Sequence, residues 1–133
     1  EPEDEGDIRG GTETILLVDD EEMILNLSEA ALVHHGYTVL TVDTAEKAVD
    51  IYNKEKERFH LIIMDLGLPG MGGEKGLEAL RKISSQVKVI VCSGYSSHKI
   101  AKNPVQYGAR KFLKKPFELD TLLRIVRSTL DQT

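Results

Sequence analysis

One cysteine cannot form an internal disulfide, and Cys92 lies inside the apolar run "VKVIVC", where it reads as a small core residue and not as a working thiol. No apolar run reaches the roughly 18 residues of a membrane span, and no cationic signal segment opens the chain. A soluble, cytoplasmic protein without membrane insertion is the expectation. A cationic surplus is missing as well. Residues 1–13, "EPEDEGDIRGGTE", hold six acids, one base and a single large aliphatic residue, Ile8, while the remaining 120 residues balance at sixteen of each sign. The segment 1–13 is therefore expected to be an acidic, flexible linker, and the rest carries no excess charge for a nucleic-acid backbone. Nucleotide cradles are absent too: no GxxxxGK[ST] loop follows the first aliphatic run, and "GLPGMGG" does not fit a GxGxxG fingerprint. His34, His35, His60 and His98 stand at helix ends or near strand and loop boundaries, without a serine to activate, and read as ordinary surface residues.

What is present is the alternation of a compact α/β domain. With 133 residues, 41% of them apolar, the chain is long enough for one core, assigned to residues 14–131. Short aliphatic runs at 14–18, 37–42, 61–64, 87–92 and 111–113 are separated by segments of helical periodicity. The second helix is expected to open at Asp43, with Glu46 three residues on. Strands so continuously apolar, alternating with helices, describe a doubly wound parallel sheet covered on both faces. The segment between the fourth and fifth strands breaks the pattern. Pro104 falls where helix interior is wanted, so either the helix kinks or Asn103 caps a fresh short one.

In open parallel sheets, function collects at the carboxyl ends of the strands. Asp19 and Asp20 follow the first strand, Asp65 the third, Ser93 the fourth and Lys115 the fifth. Asp65 ends the apolar run "LIIM" and is followed by a turn holding four glycines and a proline. A carboxylate at the end of a buried strand costs free energy unless partnered, and three converging carboxylates repel one another unless a cation is near. One lysine is too little for three acids, so a hard cation such as Mg²⁺ is expected. An ion-pair network that only orders the loops is the alternative that these residues leave open.

"LLVDDEE" at 16–22, "IIMDLGLPGMGG" at 62–73, "VCSGY" at 91–95 and "ARKFLKKPF" at 109–117 together resemble the landmarks of the receiver domain of bacterial two-component signalling, over about residues 14–130. The resemblance implies a flavodoxin-like (βα)5 fold with strand order 2-1-3-4-5. It implies that Asp65 is the phospho-acceptor, and that Asp20, Asp65 and the Gly67 carbonyl ligate Mg²⁺, for which Mn²⁺ substitutes, with Asp19 acting partly through water. Lys115 would pair with the transferred phosphoryl group and Ser93 would donate its hydroxyl to it. Phe112 would be the aromatic that moves inward as Ser93 does, and the Lys115–Pro116 bond would be cis. The donor implied is a histidine kinase or a histidine phosphotransfer protein. The domain would be a monomer or a weak, phosphorylation-dependent dimer that catalyses its own phosphorylation and slow dephosphorylation without being a turnover enzyme.

Departures from the family pattern bear on rate and surface. Gly67 supplies no side chain to shield water, Tyr95 is bulky where smaller groups are common, and Pro104 interrupts the helix that builds the usual partner face. A receiver attached behind a sensor kinase or within another multidomain protein, or else a free-standing one that acts by docking, are the contexts expected. The rival readings are a receiver-like binding module that is never phosphorylated, and an aspartyl-nucleophile phosphatase. The second would want a carboxylate at position 67, which is glycine.

Overall fold

The computed structural model describes residues 8–95 and 98–133. Five strands, β1 (Thr14–Val18), β2 (Thr38–Val42), β3 (Leu61–Asp65), β4 (Val89–Ser93) and β5 (Lys111–Lys114), form one sheet in the order β2-β1-β3-β4-β5. Every neighbouring pair is parallel. Helices α1 (Glu22–His34), α2 (Ala45–Glu55), α3 (Gly72–Ile83) and α4 (Lys99–Lys102) lie in the crossovers, and α5 (Leu119–Leu130) follows β5. No helix among the described residues is long and apolar enough to cross a membrane.

The alternation of side chains along each strand divides the core in two. Leu16, Val18, Ile62, Met64, Val89 and Val91 face one way and pack with Ala48, Tyr52, Leu77 and Leu80 of α2 and α3. Ile15, Leu17, Leu61, Ile63, Ile90 and Cys92 face the other way and pack with Leu32 of α1 and Leu122, Leu123 and Val126 of α5. Burial on both faces explains why β3 and β4 carry hardly a polar residue before their last position. Each fully buried aliphatic side chain contributes about 1.5–3 kcal/mol, which makes the central strands a stiff mount for whatever follows them.

One local expectation is corrected and one choice is resolved. Helix α2 begins after Thr44, whose extended backbone lets its hydroxyl accept the Lys47 N–H at 3.1 Å. Asp43 instead pairs with the Lys47 ammonium at 2.9 Å, and the Glu46 carboxylate accepts the Met71 N–H at 3.0 Å. At Pro104 the second of the two possibilities holds in outline, a fresh short helix and not a kink, with Pro104 and not Asn103 at its N-cap. Helix α4 is four residues long, and Pro104 opens a separate one-turn 3-10 helix, Val105–Tyr107, that closes on Gly108 in the left-handed region.

Residues 1–7 of the expected linker lie outside the described residues, but residues 8–13 are packed on the domain. Ile8 joins the α1–α5 side of the core, Arg9 pairs with Asp131 at 3.0 Å, and the Gly11 N–H donates to His35 O at 3.1 Å. Gly36 takes φ +100, and a Cβ there would lie 2.4 Å from Gly11 O, so the two backbones meet where no side chain fits. Arg127 closes this strap: its guanidinium donates to Glu13 Oε2 at 2.8 Å, Gly10 O at 3.0 Å and Asp131 Oδ1 at 2.9 Å. Arg127→Ala is expected to destabilise the protein by roughly 2 kcal/mol, less than the 3–5 of a fully buried pair because Glu13 keeps partial access to water. Urea unfolding checks the magnitude, and hydrogen exchange should show residues 9–13 losing protection. An unchanged midpoint with unchanged exchange would contradict the strap.

Candidate functional site

The sheet register brings the carboxyl ends together: Val18 stands beside Met64, Asp65 beside Cys92, and Ser93 beside Lys114. Asp19 and Asp65 are consequently buried at 3% and 6% exposure although both are acids. Each finds donors nearby. Asp19 Oδ1 accepts the Glu21 N–H at 2.9 Å, and Asp65 Oδ1 accepts the Gly67 N–H at 3.1 Å. Their other oxygens share the Lys115 ammonium, which lies 3.0 Å from Asp19 Oδ2 and 3.2 Å from Asp65 Oδ2. Lys115 reaches them from just past β5; its own N–H donates to Ser93 O at 2.9 Å, and the Lys115–Pro116 bond is cis.

Glu21 is a third acceptor on Lys115, and sequence reasoning missed it. Asp19, Glu21 and Asp65 each place a carboxylate oxygen within 4.8 Å of the others, close enough to share one cation. Asp20 is exposed and stands outside that group. The signal that could have found Glu21 is the Asx turn at Asp19: its carboxylate holds the N–H two residues on, folding Glu21 back to the same edge. Gly67 lies exposed two residues past Asp65. Ser93 is buried at the end of β4, and its hydroxyl oxygen accepts the Tyr95 N–H at 3.0 Å. Phe112, half-buried on β5, packs against the α2–α3 side of the core. Tyr95 is 76% exposed, so its bulk does not fill the site.

Burial pushes the Asp19 carboxyl above its usual range, aided by the Asp65 charge and opposed by the Glu21 N–H and Lys115. Burial would depress the Lys115 ammonium, but its bonds to Glu21 and Asp19 outweigh this and hold it above the usual lysine range. Cys92 is fully buried, which pushes its thiol well up and leaves it inert. A carboxyl whose folded pKa exceeds its unfolded one stabilises the fold when protonated, and that contribution is lost as pH rises through the folded value. Asp19→Asn, which retains an acceptor for the Glu21 N–H, should therefore melt higher than wild type near pH 7 without divalent cation. The gain should shrink towards pH 4, where Asp19 itself protonates. Equal gains in thermal scans at the two pH values would contradict this.

Residues 15–127 match the family described as the response regulator receiver domain. The chain is 32% identical over 118 residues to the chemotaxis protein CheY of Bacillus subtilis, covering 88% of this chain and 97% of that protein. It is 32% identical over 122 residues to the sensor kinase CckA of Brucella abortus, covering 92% of this chain but only 13% of the kinase. It is 35% identical over 122 residues to the two-component response regulator ARR12 of Arabidopsis thaliana, covering 89% of this chain but likewise only 20% of that protein. Among solved structures, the response regulator TrrA of Thermotoga maritima in complex with Mg²⁺-BeF superposes with a TM-score of 0.78 at 27% identity, covering 89% of this chain and 99% of that one. A parallel five-stranded sheet in this strand order, an edge where Asp19, Asp65 and Lys115 meet, and a family match across nearly all of the folded residues agree: the chain belongs to the response regulator receiver domains of two-component signalling.

Proposed function

We propose that the domain accepts a phosphoryl group on Asp65 from the phosphohistidine of a histidine kinase or histidine phosphotransfer protein. The observation that carries this reading is a buried carboxylate at the end of a rigid strand, with one oxygen on a backbone N–H and the other on an ammonium. An Asp65 oxygen attacks phosphorus, the P–N bond breaks, and its electron pair stays on the imidazole nitrogen. Phosphoryl transfer needs positioning and neutralisation more than acid or base chemistry, and β3 and Lys115 supply both. Slow hydrolysis of the resulting acyl phosphate returns the carboxylate.

Lys115 offsets only one of the three charges of Asp19, Glu21 and Asp65, and the two left at this edge favour a hard dication beside it. Asp20, Asp65 and the Gly67 carbonyl would hold Mg²⁺, with Asp19 reaching it through water. When bound, the metal neutralises charge on the phosphoryl oxygens. The TrrA structure, solved with Mg²⁺-BeF, supports Mg²⁺ as the ion by analogy. Ser93 would turn its hydroxyl to the phosphoryl group and Phe112 would move into the space it leaves, shifting a pre-existing equilibrium. The likeness to CckA supports attachment to a sensor kinase as one context.

Incubation with acetyl phosphate tests the reading. One added phosphoryl group, labile to hydroxylamine and dependent on Mg²⁺, is expected in the intact mass. A stable adduct, or none with Mg²⁺ present, would overturn it.

A further inference from the structure

We infer that Glu21 is a positioning residue that occupies the place of the incoming phosphoryl group on Lys115 and must leave before transfer, so that it limits how readily Asp65 is charged. The inference rests on the proposed phospho-acceptor role of Asp65. An ammonium has three hydrogens, and the Lys115 nitrogen has three carboxylate partners: Asp19 Oδ2, Glu21 Oε1 and Asp65 Oδ2. The resting lysine is thus saturated and has no donor left for a phosphoryl oxygen.

The three partners are not equally easy to displace. The side chains of Asp19 and Asp65 are 4% and 8% exposed and anchored by the N–H groups of Glu21 and Gly67, so neither can turn to water. The Glu21 side chain is 59% exposed and its residue is the N-cap of α1, beyond the regular helix, with no side-chain cap bond to hold it. Release of Glu21 therefore exchanges one ion pair for hydration, while release of either aspartate strands a buried charge. Glu21 also sets a negative charge in the path of a dianionic phosphoryl donor.

Glu21→Gln retains the shape and removes the charge. At saturating Mg²⁺ it should take up phosphate from acetyl phosphate about fivefold faster than wild type, the effect of one unit charge a few ångströms away across hydrated space. The gain should fall towards unity in about 1 M salt, where the screening length is near 3 Å; a merely structural change would not respond this way. Without donor or metal, Glu21→Ala should speed solvent exchange of the Lys115 ammonium protons in ¹⁵N-detected spectra. Wild type charged on Asp65 while Glu21→Gln is equal or slower overturns the displacement role and leaves the acceptor assignment intact. A folded wild type that takes up no phosphate overturns the acceptor assignment, and the exchange measurement then still decides whether Glu21 saturates Lys115: unchanged exchange refutes it.

Discussion

Asp65→Asn is expected to abolish phosphorylation by acetyl phosphate, a loss of at least about a thousandfold, since the residue would be the nucleophile itself and not a helper. Asparagine keeps the volume and can still accept the Gly67 N–H, as Asp65 Oδ1 does at 3.1 Å. Its amide nitrogen is no nucleophile towards phosphorus and offers Lys115 no acceptor where Asp65 Oδ2 stands at 3.2 Å. Folding should survive, because the substitution removes one of three mutually repelling carboxylates. The decisive measurement is intact mass after donor treatment, alongside a thermal scan. A variant that still acquires a hydroxylamine-labile group would move the acceptor to another carboxylate, with Asp19 the first to examine.

The second large effect should come from a residue with no chemistry. Gly73, in the first turn of α3, sits so close to the end of β3 that a Cβ would lie 2.3 Å from Asp65 O and 2.6 Å from the Leu66 Cα. Both are backbone atoms, so neither can rotate aside. Gly73→Ala must push the helix and strand apart by about an ångström, costing about 1–3 kcal/mol as overpacking does. The displaced atom belongs to Asp65, the proposed acceptor, and a misplacement of that size costs about a hundredfold in rate. Phosphorylation kinetics should therefore fall much further than the melting temperature. A variant with normal kinetics would show that Asp65 is not held by the α3 contact.

The fold was largely legible in advance because its information is local. Apolar runs such as "LIIM" and "VIVC" mark strands buried on both faces, and the period of Leu119, Leu122, Leu123 and Val126 marks the helix that covers one of them. Asp19, Asp65 and Lys115 could be grouped for the same reason: strand ends converge once the sheet is parallel. Other features depend on how close elements approach, which no single segment encodes. Arg127 and Glu13 are separated by 114 residues, and only the crossing of the N-terminal strap over α5 makes residues 8–13 part of the domain and not tether. Composition pointed the other way, because acids that look solvated can be paired at a distance. The Thr44 cap, and the choice at Pro104 between a kinked helix and two short ones, were decided by backbone geometry at single residues. Glu21 is the clearest case. In sequence it is one acid among four consecutive ones, and only the return of Lys115 from the far side of the sheet singles it out. Pattern determined which faces are buried and which edge gathers charge; packing distances determined which side chain holds which partner.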